Sequence, residues 1–136
     1  MKTSYNCRKI SPGAAEGEIL ISKDPILFYQ TDSRTGAVIE RGHDLYGKCI
    51  KDKILVFPGG KGSSAVQADG LYKLGRDGTA PKAFIIRQPD TVLVATAIIM
   101  GIPMVDRVDE DFYGNARNGD SVSLDAAANT LHLYYK

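Results

Sequence analysis

The run Lys53-Ile54-Leu55-Val56-Phe57 is apolar almost throughout, stops at Pro58 and opens directly into Gly59-Gly60-Lys61-Gly62-Ser63-Ser64. A short continuous apolar run closed by a breaker reads as a buried strand. Ser64 is positioned to cap a following helix that carries Val66, Leu71 and Leu74 on one face; Gly70 weakens that helix and Arg76-Asp77-Gly78 ends it. The unit is strand, glycine loop, helix. Ala83 to Ile86 repeats the short buried strand, and Asp90 then offers an N-cap to Thr91 to Met100, a nearly all-apolar helix that the pattern expects to be enclosed. Ile102 to Val105 reads as another strand, which sets the fold class as mixed α/β.

The flanks read as β. Tyr5 to Ile10 and Glu18 to Ile21 are short alternating runs separated by the Pro12-Gly13 turn signal. Lys23 to Tyr46 is broken by Pro25, Gly36 and Gly42 and reads mostly as loop, with a strand at Ala37 to Glu40. The tail alternates around Asn118-Gly119-Asp120, which predicts a closing hairpin of Ser121 to Leu124 and Thr130 to Tyr135. No internal repeat or low-complexity tract interrupts the chain.

A length of 136 residues fits a single domain, residues 1–136. With 17 Lys and Arg against 16 Asp and Glu, the net charge of +1 leaves no basic block to neutralise a phosphate backbone, so nucleic acid is disfavoured as a partner. The longest apolar stretch, Val92 to Met104, is interrupted by Thr96, Gly101 and Pro103 and falls short of the roughly 20 residues that span a bilayer. The basic N-terminal segment has no apolar region behind it, and the expected location is cytoplasmic. Cys7 and Cys49 lie far apart with no His at ligand spacing, which predicts reduced structural thiols and no zinc or iron cluster held by this chain alone.

The chemistry concentrates in Gly59 to Ser64. Glycines let backbone approach a ligand, and hydroxyls at the start of a helix favour an anion there. The loop is not a Walker A sequence, because Gly62 separates Lys61 from Ser63. Two readings remain at this level: a strand-to-helix turn with Ser64 as a simple cap, or an anion site.

Several separated blocks resemble one family. Phe57-Pro58, Gly60-Lys61-Gly62-Ser63-Ser64, Leu71-Tyr72-Lys73-Leu74, Gly78-Thr79-Ala80-Pro81 and Gly101-Ile102-Pro103-Met104-Val105-Asp106 occur in the order found in the small subunit of aconitase X enzymes. Asp32 with Thr35-Gly36, and His43 with Leu45 and Gly47-Lys48, extend the likeness upstream. The resemblance implies an aconitase-like swivel domain that closes over an iron-containing large subunit in a heterodimer, with the iron or iron–sulfur cluster held by that partner and none bound here. The implied activity is that of a hydro-lyase which dehydrates a small hydroxy acid and is inactive without the large subunit. Dehydration beside a carboxylate needs a base for the carbon-bound proton, a Lewis acid for the departing hydroxyl and anchors for the anion. By resemblance Ser63 is the base, and Ser64 a substrate ligand together with Gly60, Lys61 and Gly62. Aconitase proper follows its serine pair with Arg and Glu; Ala65-Val66 stand here, which argues against a tricarboxylate. The family dehydrates either phosphomevalonate or cis-3-hydroxy-L-proline. Gln88-Pro89-Asp90-Thr91 and the absence of an evident Lys/Arg-rich phosphate site lean towards hydroxyproline or a related substrate, with phosphomevalonate as the alternative. A non-catalytic module that docks an anion or a partner on the glycine loop is the competing class.

Other polar residues carry simpler expectations. His43 beside Asp44 reads as part of a solvated loop, His132 as a surface or packed residue of the closing strand, and Asp106, Asp109, Glu110 and Asp111 as a solvated acidic face.

Overall fold

The structure, a computed structural model, describes residues 2–135. Strands β1 (Lys2–Asn6), β2 (Arg8–Ser11), β3 (Ala14–Ile21), β4 (Ile54–Phe57), β5 (Ala83–Ile86), β6 (Met104–Asp106), β7 (Ser121–Asp125) and β8 (Thr130–Tyr134) are joined with helices α1 (Ser64–Arg76), α2 (Thr91–Met100) and α3 (Glu110–Asn115). Their order across the sheet is β1-β8-β7-β3-β4-β5-β6-β2. Strand β3 belongs to both halves: Ala14–Glu18 pair antiparallel with β7, and Ile19–Ile21 pair parallel with β4. The segment expected as one strand from Tyr5 to Ile10 instead turns a corner at Cys7, so that β1 pairs with β8 and β2 with β6. The sheet therefore returns on itself, with β3 at one corner and β1–β2 at the other.

The parallel strands β4, β5 and β6 are buried throughout, and successive residues face two different cores. Ile54, Val56, Ala83, Ile85 and Val105 join Tyr5, Phe112, Val122, Leu131 and Leu133 in an inner core enclosed by the curled sheet. Leu55, Phe57, Phe84, Ile86 and Met104 face outward and meet Leu71 and Leu74 of α1 and Leu93 and Ala97 of α2. This two-sided burial is why the run at 54–57 is continuous rather than alternating.

Helix α2 departs from expectation. Of its apolar residues only Leu93 and Ala97 are buried, while Ile98 is 51% and Ile99 79% exposed. Within this chain the helix covers the sheet with one face and leaves the other uncovered.

The strap between β3 and β4 contains a 3-10 turn, Phe28–Gln30, and isolated bridges at Ala37 and Val38 in place of the strand expected at Ala37 to Glu40. Phe28 is buried with ring centroids 5.9 Å from Phe57 and 5.6 Å from Phe84. Gly70 makes that packing possible: a Cβ there would lie 2.2 Å from the Tyr29 amide nitrogen. The glycine that weakens α1 by propensity is the one that lets the strap cross it.

The acidic segment is solvated at Asp109, Glu110 and Asp111, which are exposed, but not at Asp106. Asp106 is buried and receives both Arg8 Nε and a terminal guanidinium nitrogen, at 2.8 and 2.7 Å. Asp109 Oδ2 accepts the Asn6 amide at 2.9 Å, and Glu110 starts α3, whose Phe112 enters the inner core. His43 is likewise buried rather than solvated: its Nδ1 accepts the Leu45 amide at 2.9 Å, so Nε2 carries the proton and donates to the Pro25 carbonyl at 2.8 Å. His132 lies in β8, with Nδ1 2.7 Å from the Ser4 hydroxyl. The Asn118-Gly119-Asp120 turn leads into β7, and the β7–β8 hairpin itself turns at residues 126–129, where Asn129 takes a φ of 54°. No helix among the described residues is long and apolar enough to cross a membrane.

Candidate functional site

Strands β4 and β5 run parallel and side by side, so the loops that leave their C-terminal ends lie together, and α1 and α2 begin there. In parallel α/β sheets, open or closed, that edge is where ligands bind. A cleft of about 280 Å³ opens between the two helix starts, walled by Gly60, Lys61, Gly62, Ser64 and Gln67 on one side and by Asp90, Thr91 and Val92 on the other.

The loop is held from both ends. The Ile26 amide donates to the Gly59 carbonyl at 2.9 Å. Gly60 fits where a Cβ would lie 2.6 Å from Gln67 Nε2 and 2.9 Å from Asp90 Oδ2, and Gly62 takes a φ of +84° against Leu27. These two glycines are required by close approach and by left-handed backbone respectively. Buried Gln67 accepts the Phe28 amide at 2.7 Å and donates to the Ile26 carbonyl at 2.8 Å, which ties the strap to α1 beneath the loop.

The helix cap lies one residue earlier than the sequence suggested. Ser63, not Ser64, is the N-cap: its backbone is extended and its Oγ accepts the Val66 amide at 3.3 Å. Ser64 is the first helical residue and lines the cleft, whereas Ser63 is exposed beside it. The Ser63 oxygen therefore sits at the positive end of α1, where partial charge from unpaired amides favours negative charge on it.

Lys61 is not a free cation. Its Nζ lies 2.5 Å from Glu40 Oε2, a partner that arrives through the irregular strap and leaves no periodic signal in the sequence. Across the cleft Asp90 caps α2, with Oδ1 accepting the Leu93 amide at 2.9 Å. The cleft thus offers amide-rich helix starts with a balanced ion pair and one carboxylate at its edge. Gln67 was missed by sequence reasoning, although a polar residue one turn before Leu71 on the buried face was the available signal.

The cysteines do not form a ligand set. Cys7 is buried at the β1–β2 corner, where desolvation, with Asp109 and Asp106 nearby, pushes its thiol up to about 11. Cys49 is exposed and its thiol donates to the Thr35 carbonyl at 3.3 Å. No three His, Cys, Asp or Glu side chains among the described residues converge as a metal site. The donors among the described residues do not assemble a site for an iron or iron–sulfur group.

Comparison with known proteins agrees with this geometry. Residues 4–133 match the model of the aconitase X swivel domain family. The phosphomevalonate dehydratase small subunit of Methanococcoides burtonii is 43% identical over 93% of each chain. That of Methanocella arvoryzae is 44% identical over 92% of this chain and 95% of its own. The crystal structure of Thermococcus kodakaraensis aconitase X in its holo form superposes with a TM-score of 0.88 at 38% identity, covering 98% of this chain and 99% of that one. A mixed α/β sheet with a glycine loop between two helix starts, and relatives that are dehydratase subunits, make this chain a member of the aconitase X swivel domain family of hydro-lyase subunits.

Proposed function

We propose that this chain is the small subunit of a phosphomevalonate dehydratase, with Ser63 as the base that removes the proton beside the substrate carboxylate. The observation that carries the reading is the full-length likeness to relatives of that name, at 43% and 44% identity. It reverses the preference for cis-3-hydroxy-L-proline, which rested on Gln88 to Thr91 and on the absence of an evident Lys/Arg-rich phosphate site; the 88–91 segment forms the turn into α2 and its Asp90 is engaged as a cap.

The residues supply the following chemistry. The Val66 amide and the α1 terminus lower the cost of an alkoxide at Ser63 Oγ, which then accepts the carbon-bound proton. Ser64 and the backbone of Gly60, Lys61 and Gly62 hold the carboxylate at the helix start. The Lewis acid for the departing hydroxyl is assigned to a large subunit that holds the iron or iron–sulfur group. An exposed Ser63 suits a site completed by a second chain. The reading keeps the protein cytoplasmic and the complex heterodimeric.

The test is co-expression with the cognate large subunit, followed by assays of phosphomevalonate and cis-3-hydroxy-L-proline. Phosphomevalonate turnover by the complex, with none by this chain alone, is the expected result. Turnover of hydroxyproline alone would overturn the substrate, and turnover or stoichiometric iron binding by the isolated chain would overturn the subunit reading.

A further inference from the structure

A second cleft opens at the same end of the sheet. It encloses about 310 Å³ beside Pro58, with Ile21, Val56, Phe57 and Tyr113 as apolar walls and Lys23 and Arg87 at its rim. Arg87 directly follows β5, its backbone amide donating to the Phe57 carbonyl at 3.2 Å. Its guanidinium lies 3.7 Å from the Tyr113 ring centroid, and one terminal nitrogen meets Glu110 at 3.0 Å. The group is therefore oriented by a ring face and one carboxylate, with donors left over. Lys23 makes no ion pair among the described residues, and the neighbouring carboxylates are occupied by backbone: Asp44 accepts the Lys23 amide and Asp24 the Asp44 amide, each at 2.9 Å.

The two clefts differ in charge. The glycine-loop cleft has its lysine neutralised by Glu40 and a carboxylate at Asp90, so a phosphate with nearly two negative charges is disfavoured there. The second cleft pairs apolar walls with Lys23, which has no ion pair among the described residues, and with Arg87, whose single contact with Glu110 leaves guanidinium donors over. Pro58 lines one cleft and Gly60 the other, so two residues of backbone, about 7 Å at full extension, separate the two linings.

We propose that the Lys23–Arg87 cleft holds the phosphate monoester end of the substrate, its aliphatic carbons against Pro58 and Tyr113, while the carboxylate end lies at the glycine loop. This rests on the phosphomevalonate reading. It makes Lys23 and Arg87 the residues that select a phosphorylated substrate.

The test uses the complex with the large subunit and the variants Lys23→Ala, Arg87→Ala and Arg87→Lys. The expected result is a KM for phosphomevalonate raised about tenfold or more in the alanine variants, with kcat little changed and partial rescue in Arg87→Lys. Inorganic phosphate should inhibit the wild type competitively, with Ki rising in the same variants. Unchanged KM in Lys23→Ala, which breaks no ion pair, overturns the proposal. So does a weakened complex whose remaining fraction keeps the wild-type KM, because the cleft is then a subunit contact. If the wild-type complex turns over no phosphomevalonate, the functional reading fails by itself. Calorimetry of inorganic phosphate binding to the complex then decides the cleft: binding lost in Lys23→Ala and Arg87→Ala supports it, and no binding overturns it.

Discussion

Gly70 of α1 and Tyr29 of the strap approach so closely that the next-smallest side chain cannot be inserted: a Cβ at Gly70 would lie 2.2 Å from the Tyr29 nitrogen and 2.6 Å from the Phe28 carbonyl carbon. Gly70→Ala gains up to about 1 kcal/mol of helix propensity but must push backbone away, and a net loss of about 1–3 kcal/mol is expected in urea unfolding. Gly75→Ala is the control. There the obstacle is the flexible end of Met100, 2.3 Å from a built Cβ, so a change near zero is expected. Equal effects at the two positions would overturn the explanation.

Gln67→Leu should be worse than its modest volume change suggests. It strands the Phe28 amide and the Ile26 carbonyl, both buried with the strap, at a cost of about 2–4 kcal/mol. The loss should appear as a lowered urea midpoint, with faster proteolysis in the strap. Unchanged stability would show that the strap is not held by this side chain.

Ser63→Ala removes a cap and the proposed base together. About 1 kcal/mol of stability should go with the cap, and turnover in the reconstituted complex should fall about a hundred- to ten-thousandfold. Ser63→Asn restores the cap without the hydroxyl, so recovery of stability without recovery of rate is the expected signature. Ser64→Ala should leave stability near wild type, because Ser64 makes no cap bond, and should raise KM. Comparable kcat in Ser63→Ala and wild type would falsify the base assignment.

Cys7 predicts an alkaline weakness. Its folded value of about 11 lies above the ordinary 9.0, so the folded state holds the proton more tightly than the unfolded chain. The associated stability is complete below about pH 9 and is lost as pH rises through about 11, to the extent of about 3 kcal/mol at most. Urea midpoints followed from neutral pH to pH 10.5 should fall less steeply in Cys7→Ala than in wild type. Thiol reagents near neutral pH should modify Cys49 and spare Cys7. Parallel pH profiles would contradict the burial argument.

Local chemistry carried much of the fold. The runs at 54–57 and 83–86 and the helix after Asp90 were legible because burial on both faces, a capping carboxylate and a following glycine each leave a local mark. The strap was not legible, since its order comes from Gln67, Phe28 and His43 acting across long sequence separations. Asp106 looked like one of several surface acids because its partner Arg8 lies in another strand. In the site, the glycine loop was visible, but the cap fell on the wrong serine because either hydroxyl can begin a helix. The Glu40 partner of Lys61 could not be anticipated, nor could the cleft that brings Lys23 to Arg87.

The corner at Cys7 bears on how the chain reaches this structure. Lys2 pairs with Tyr134, and Arg8, across the corner, pairs with Asp106, so one short segment joins the sheet at both ends. Neither pairing forms until most of the chain has been drawn together, and the entropy of closing those long loops is spent before the contacts repay it. Folding is accordingly expected to be slow beside a helical protein of equal length, with the β1–β2 segment among the last parts to dock.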